Sequence, residues 1–414
     1  MKRVVVTGMG LVSPLGNNVD TSFQNLIDGQ NGIDFITLED AGNWKVKFAG
    51  EVKNLRFEDF IEPKELKHND RVTNLALIAA KEAYDQASLK DANIDSFRFG
   101  TFIGSGIGGI STILQEAKTL MERGMDRLSP FFIPNSIINL IGAKIGLKYH
   151  CQGPNLPSVT ACSAATNSIG EAYRYLRSGE LDVCLAGGAE AAINALGVGG
   201  FAAMRALSTS NQPNQASLPF DERRNGFVMG EGAGILVLET LEHALKRQAV
   251  ILAEVVGYAT TTDAFHITAP DEEANGITKC ITLALKSASI EPKDIDYINA
   301  HGTGTALNDR LEVLGIKKAF GKHAYQVNIS STKAQTGHTL GASGGLESIF
   351  CLKALQTGMI PPTLNLDQPD PSFDLNFTPN FAVKKPLKYA MNINMGFGGQ
   401  NAVLIFKKWE EKTS

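Results

Sequence analysis

Short apolar, β-branched runs alternate along the chain with longer stretches whose apolar positions recur at helical spacing. "RVVVTG" precedes "VTNLALIAAKEAYDQASL", "RFGTFIGSG" precedes "STILQEAKTLMERG", and "SIGEAYRYLRSG" precedes "DVCLAGG". This rhythm predicts strands and helices packed in α/β layers. "GILVLETLEHALKRQAVILAEVVGYAT" adds a strand, a helix and a strand, after which "KCITLALKSASI", "DIDYINAHG" and "VNISSTKA" take the pattern up again. The fresh start predicts a boundary near residue 250, with halves at 1–250 and 251–414. Each half holds one stretch of similar design, "TACSAATNSIGEAYRYLRSG" and "STKAQTGHTLGASGGLESIFCLKALQTG", running from small polar residues into a helix stopped by Gly. Gly-terminated helices are common, so this is weak support for duplication on its own.

Composition narrows the class. With 414 residues, 43% hydrophobic and 20% charged, the chain can bury a large core. A net charge of −4 gives no global reason to bind nucleic acid or an anionic membrane, so any basic site must be local. Five scattered cysteines without a C-x-x-C pair indicate neither a disulfide framework nor a zinc site, and predict a reducing, cytoplasmic setting. The N-terminal "MKRVVVTGMGLVSPLG" has too short an apolar run for a signal peptide and reads as a first strand and turn. The long Gly- and Ala-rich window 183–204 carries Glu190 and Asn194, which argues for close packing in a core over a membrane span.

Three pattern matches read as incidental. "GSGIGG", 104–109, fits a dinucleotide fingerprint, but the acid about 20 residues on, Glu122, falls inside the next helix and not at a strand end. "GASGG", 341–345, fits a nucleophile elbow without the required strand directly before it. Asn328 and Asn376 head glycosylation triplets in a chain with no secretory signature.

The candidate chemistry begins at Cys162 in "SVTACSAATNSIG". A thiol at a helix N-terminus meets the positive end of the dipole and free backbone N–H groups, which favour the thiolate and can bind an oxyanion. Taken alone, a buried structural Cys is an equal reading. Of only seven histidines, His301 in "INAHGTGTALND" and His338 in "STKAQTGHTLGASGG" lie in Gly- and Thr-rich turns after apolar strands, where backbone can crowd a substrate. Lys333 in "SSTKA" needs a partner if it is buried, and Glu312 lies eleven residues past His301. "NINMGFGGQNAV" closes the chain with a glycine turn carrying Phe397.

These motifs, with "PFDERRNGFVMGEGAG" at 219–234, resemble in order the β-ketoacyl-[acyl carrier protein] synthases of the elongating Cys-His-His type, over nearly the whole chain. The resemblance implies a thiolase-like α/β fold, two similar halves forming a five-layer αβαβα sandwich. It implies a homodimer with acyl tunnels near its twofold axis, and no metal or organic cofactor. Cys162 would take an acyl chain from acyl carrier protein as a thioester, with the backbone N–H groups of Cys162 and Phe397 as oxyanion hole. His301 and His338 would hydrogen-bond the malonyl thioester oxygen, and Lys333, paired with Glu312, would give electrostatic support. Thr303 and Thr305 match contacts to the phosphopantetheine arm, Phe397 the gate over the nucleophile. Ile107 matches the tunnel residue of the synthase II branch, where the synthase I branch carries glycine.

Lys64, Lys67 and Arg71 fall at i, i+3 and i+7, on one face if their segment is helical. With Arg205, and with Arg123 and Arg127 as further candidates, they form an expected docking patch for an acidic carrier protein; a solvated charged face is the plain alternative. Gly304 and Phe265 depart from common family residues, Ser and Tyr, without removing a catalytic group. The implied reaction is decarboxylative Claisen condensation in fatty acid elongation. A ketosynthase of a specialised polyketide or aryl-polyene pathway is one rival, and a non-catalytic chain-length partner, which would lack the nucleophile, is another. A degradative thiolase would need a second reactive Cys near the C-terminus, and an initiating synthase would pair Cys with His and Asn.

Overall fold

The computed structural model describes residues 1–410. The apolar runs become nine strands of one sheet: β1 (Val4–Val12), β2 (Phe99–Gly104), β3 (Val183–Glu190), β4 (Gly232–Thr240), β5 (Ala253–Thr262), β6 (Tyr297–Asn299), β7 (Asn328–Ser330), β8 (Tyr389–Gly396) and β9 (Gln400–Lys408). Their spatial order is β2-β3-β4-β1-β5-β9-β8-β6-β7. Four strands from before residue 250 and four from after it repeat one arrangement. In the first half β2 runs parallel to β3, β3 antiparallel to β4, and β4 antiparallel to β1. In the second, β6 runs parallel to β8, β8 antiparallel to β9, and β9 antiparallel to β5. Only β7 lies outside the correspondence, parallel to β6 at the edge.

The half-sheets join through three residue pairs, Val4 to Val6 of β1 against Val255 to Ala253 of β5. Helices α4 (Ala164–Ser178) and α8 (Ser343–Thr357) each pack on strands of both half-sheets and on each other, so they form a shared middle layer. Outside, α1 (Arg71–Gln86) and α3 (Asn139–Tyr149) cover the first half-sheet, and α6 (Asn275–Ala288) with α7 (Ala306–Phe320) covers the second. The remaining long segments include α2 (Ile110–Arg123) and α5 (Ala195–Ala203). Five layers, helix, sheet, helix, sheet, helix, result. The stretches of similar design noted in the two halves are α4 and α8, now seen as partners.

Side-chain alternation explains why the strands read as continuous apolar runs. Along β4, Leu236 and Leu238 enter the central core, while Ala233, Ile235 and Val237 face the outer one beneath α1. On β9, Leu404 and Phe406 point to the centre and Val403 and Ile405 to the core beneath α6. Both faces are covered, so period two sorts residues between two interiors and not between interior and water. The window 183–204 is the buried strand β3 followed by α5, and no helix among the described residues is long and apolar enough to cross a membrane.

Glycine sets how closely the middle layer approaches the sheet. A Cβ on Gly345 of α8 would lie 2.4 Å from Gly234 O, and one on Gly234 of β4 would lie 2.4 Å from Gly345 C. Backbone meets backbone there, with no side chain able to yield. Gly345→Ala should therefore separate α8 from β4 and destabilise the protein by about 1–3 kcal/mol, as overpacking does. Thermal and urea unfolding would measure this; an unchanged midpoint would refute the close-packing account.

Candidate active site

Two matching turns build the site. Ala161–Ser163 forms a 3-10 turn entering α4, and Leu340–Ala342 forms another entering α8. Each begins with a non-glycine residue in left-handed conformation, Ala161 at φ 50° and Leu340 at φ 47°. That conformation costs roughly 1–2 kcal/mol per residue and persists only where packing enforces it. Aligning the turns on their helix starts sets Cys162 opposite Gly341. The Leu340–Ala342 turn, which overlaps "GASGG", is thus the counterpart of the Cys162 turn and bears Gly341 where that turn bears Cys162; Ser343, at the centre of the elbow pattern, aligns instead with Ala164.

The Cys162 sulfur and one ring nitrogen from each of His301 and His338 lie within 4.8 Å of one another. The imidazoles stand edge to face, with centroids 5.2 Å apart. Both histidines are buried, and burial, reinforced by the Lys333 charge, holds both well below the ordinary histidine pKa, so both are neutral. The Asn394 side-chain amide faces His301 Nδ1 at 3.5 Å, and since its nitrogen is a donor the ring's proton belongs on Nε2. The Ser343 hydroxyl lies 3.0 Å from His338 Nδ1 and can donate in the same way. The Phe397 and Cys162 backbone N–H groups are directed at the sulfur, the arrangement an oxyanion hole requires.

The thiol departs from expectation. Burial pushes Cys162 up to about 12, outweighing the lowering by Lys333 and by the two backbone N–H groups, while Glu190 adds to the rise. A helix start alone therefore does not make this cysteine a resting thiolate. Cys, His and His at this spacing are also the donor types of a zinc site. Here, however, the Lys333 charge acts on all three groups, and a second cation would have to be accommodated beside it.

Lys333 is fully buried, and its partner is Glu347 of α8, not Glu312. The eleven-residue spacing misled because Glu312 is committed elsewhere. Its two oxygens accept the backbone N–H groups of His301 at 2.6 Å and Gly302 at 2.7 Å, shaping the turn that carries His301. Burial pushes Glu312 up to about 7. Burial likewise raises Glu347, opposed by Lys333 and by Asn394, whose amide donates to it at 2.7 Å. The sequence signal for Glu347 was available: it is the lone acid in the apolar helix "GLESIFCLKAL".

Cys162, His301, His338, Thr303, Thr305 and Phe397 all line one cavity, together with Phe201, Phe227 and residues of the Asp263 to Pro270 loop. The Thr303 and Thr305 hydroxyls are 3.0 Å apart. Phe397 is partly exposed at the mouth, its ring 6.3 Å from that of Phe201. Ile107 does not line this cavity; it packs behind the wall, in an apolar cluster with Leu340, Phe201 and Phe227.

The basic residues divide. Lys64 and Lys67 are exposed, as is Arg205 beside the cavity-lining Ala206. Arg71 does not join them. The short helix Pro63–Leu66 stops, Asp70 caps α1, and Arg71 at its start turns inward. There its guanidinium forms a two-pronged pair with Glu231, which is fully buried and needs a cation. The one-face expectation failed because the segment is two helices.

Residues 1–244 match the family description "Beta-ketoacyl synthase, N-terminal domain", and residues 252–367 match "Beta-ketoacyl synthase, C-terminal domain". The chain is 48% identical to 3-oxoacyl-[acyl-carrier-protein] synthase 2 of Staphylococcus aureus (strain N315), over 99% of both chains. A solved β-ketoacyl synthase from Burkholderia phymatum STM815 is similar with a TM-score of 0.92 at 33% identity, covering 99% of this chain and 100% of that one. A chain from a type II PKS acyl-carrier protein in complex with its ketosynthase bound to the hexaketide gives a TM-score of 0.89 at 33% identity, with 99% and 100% coverage.

The raised thiol yields a test. Alkylation of Cys162 by iodoacetamide should climb about tenfold per pH unit from about pH 7 to about pH 9, with no plateau at the ordinary thiol value. A plateau within that range, read by mass spectrometry of the Cys162 peptide, would show a stabilised thiolate instead.

Proposed function

The chain belongs to the β-ketoacyl synthase family, and from that premise we propose the working of its site in fatty acid elongation. The enzyme condenses acyl-[acyl carrier protein] with malonyl-[acyl carrier protein] to give 3-oxoacyl-[acyl carrier protein]. The observation that carries this reading is the sulfur held with two neutral imidazoles beneath paired backbone donors.

In the first half-reaction the Cys162 sulfur attacks the acyl thioester carbonyl. The oxyanion is received by the Cys162 and Phe397 N–H groups. The C–S bond to the arm then breaks, and the proton lost from Cys162 ends on the departing arm thiol, so the exchange balances without an outside acid. In the second, the malonyl thioester oxygen accepts hydrogen bonds from Nε2 of His301 and His338. Carbon dioxide leaves, and its bonding electron pair becomes the enolate. The enolate carbon attacks the acyl-Cys162 carbonyl, a C–C bond forms, and the Cys162 thiolate is released and takes a proton from water, restoring the resting thiol. Imidazoles held neutral suit this work, since they donate hydrogen bonds without protonating the enolate carbon. Thr303 and Thr305 meet the arm, Phe397 gates the sulfur, and Ile107 limits tunnel depth from behind the wall.

Acyl carrier protein is the partner. Exposed Lys64, Lys67 and Arg205 offer positive charge to its acidic surface, and Arg123 and Arg127 are exposed as well. Met121, Met125, Ile133 and Val159 are large apolar side chains left exposed on one chain, which supports a homodimer burying them. Free thiols at all five cysteines suit a reducing cytoplasm. The nucleophile in place speaks against a non-catalytic chain-length partner.

Cys162→Ala should abolish acylation and condensation, measured with purified acyl carrier protein substrates; normal elongation by this variant would end the reading. His338→Ala should slow malonyl decarboxylation at least about tenfold while acyl transfer falls less. The reverse pattern would show that the histidine's role is misassigned.

A further inference from the structure

Glu190, at the end of β3, is a buried carboxylate that the mechanism above does not use. All four of its hydrogen-bond partners are uncharged. Oε1 accepts from the Ser105 hydroxyl at 2.9 Å and from Ile107 N at 3.2 Å. Oε2 accepts from Gly106 N at 2.7 Å and from Gly341 N at 3.0 Å. The first three donors belong to the "GSGIGG" turn leaving β2, the fourth to the turn opposite the nucleophile. At the position where one half of the molecule carries Cys162 with its own N–H facing the sulfur, the other half thus carries Gly341 with its N–H bound to a fixed carboxylate.

Neither Gly341 nor Gly106 has room for a side chain. A Cβ on Gly341 would lie 2.2 Å from Gly106 N, and one on Gly106 would lie 2.7 Å from Glu190 Oε2 and 3.8 Å from Ala161 O. The clamp therefore sits against the nucleophile turn itself. Ser105 is held in turn, its hydroxyl accepting from Gly108 N at 3.1 Å. Ile107 and Leu340, one on each clamped turn, meet in one apolar cluster, Leu340 lining the cavity and Ile107 packed behind that wall.

We propose that Glu190 is a positioning residue for chain-length selection: by tying the Ser105 to Ile107 turn to Gly341, it holds Ile107 rigid behind the cavity wall and limits how deeply an acyl chain enters. This rests on the reading of Ile107 as the residue limiting the tunnel. The isosteric Glu190→Gln tests it, because a backbone donor faces each oxygen. The amide nitrogen is best tolerated beside Ser105, whose hydroxyl can turn to accept, and there it opposes Ile107 N, the longest of the four contacts. The substitution thus frees the Ile107 turn first.

The readout is the ratio of kcat/KM for acyl transfer to Cys162 from myristoyl and from hexanoyl carrier protein. Glu190→Gln should raise that ratio about two- to tenfold, the effect of losing one hydrogen bond, and Ser105→Ala should raise it less, in the same direction. Equal loss at both chain lengths would mark a merely structural carboxylate and overturn the proposal. Ile107→Gly serves as the control. If it shifts the ratio and Glu190→Gln does not, the positioning role falls while the tunnel reading stands. If Ile107→Gly shifts nothing, the tunnel reading falls and takes the proposal with it. Should Glu190→Gln not fold by thermal unfolding, Ser105→Ala decides alone, since it retains all three backbone donors, and an unchanged ratio there overturns the proposal.

Discussion

One buried ammonium organises the centre of this enzyme. Lys333 can be carried in the interior only because Glu347 meets it, and Glu347 in turn binds the Asn394 amide. Asn394 faces His301 on one side and accepts the Thr166 hydroxyl on the other. One chain of polar contacts therefore links α8, β8, α4 and the turn holding His301. A buried pair of this kind adds little net stability, but loss of either member leaves an uncompensated charge. Its value here is electrostatic and geometric. It orients the His301 ring, and its positive end lowers both imidazoles and offsets part of the thiol's rise.

That position exists because the molecule is built twice. Two half-sheets, joined by only three residue pairs, enclose a middle layer in which α4 and α8 start from matching strained turns. In one, the Cys162 N–H faces its own sulfur, joined there by the Phe397 N–H; in the other, the Gly341 N–H is occupied by Glu190. The asymmetry between Cys162 and Gly341 gives only one of two similar places a sulfur.

The thiol illustrates how competing effects are settled by magnitude. Helix start, backbone donors and a nearby cation all favour the thiolate, yet enclosure outweighs them and leaves Cys162 protonated at rest. In the proposed reaction the two backbone N–H groups therefore act on the substrate's developing charge more than on the sulfur's own. The same enclosure keeps the histidines neutral, so that one physical cause prepares both half-reactions.

Much of this was legible in the linear pattern. Continuous apolar runs alternating with helical stretches gave the layers, and the ordered motifs around Cys162, His301, Lys333, His338 and Phe397 pointed to the family. These signals are local, because a strand needs its own apolar residues and a reactive group needs small neighbours. What the chain alone could not decide were pairings across distance. Lys333 chose Glu347 over Glu312 because Glu312 was already holding two backbone N–H groups. Arg71 left the docking face because a buried Glu231 required it and because Asp70 started a new helix. "GASGG" and "GSGIGG" looked incidental, yet folding brings both turns onto Glu190. Sequence sets which groups are available, whereas only tertiary packing decides which are left in low dielectric and must find one another.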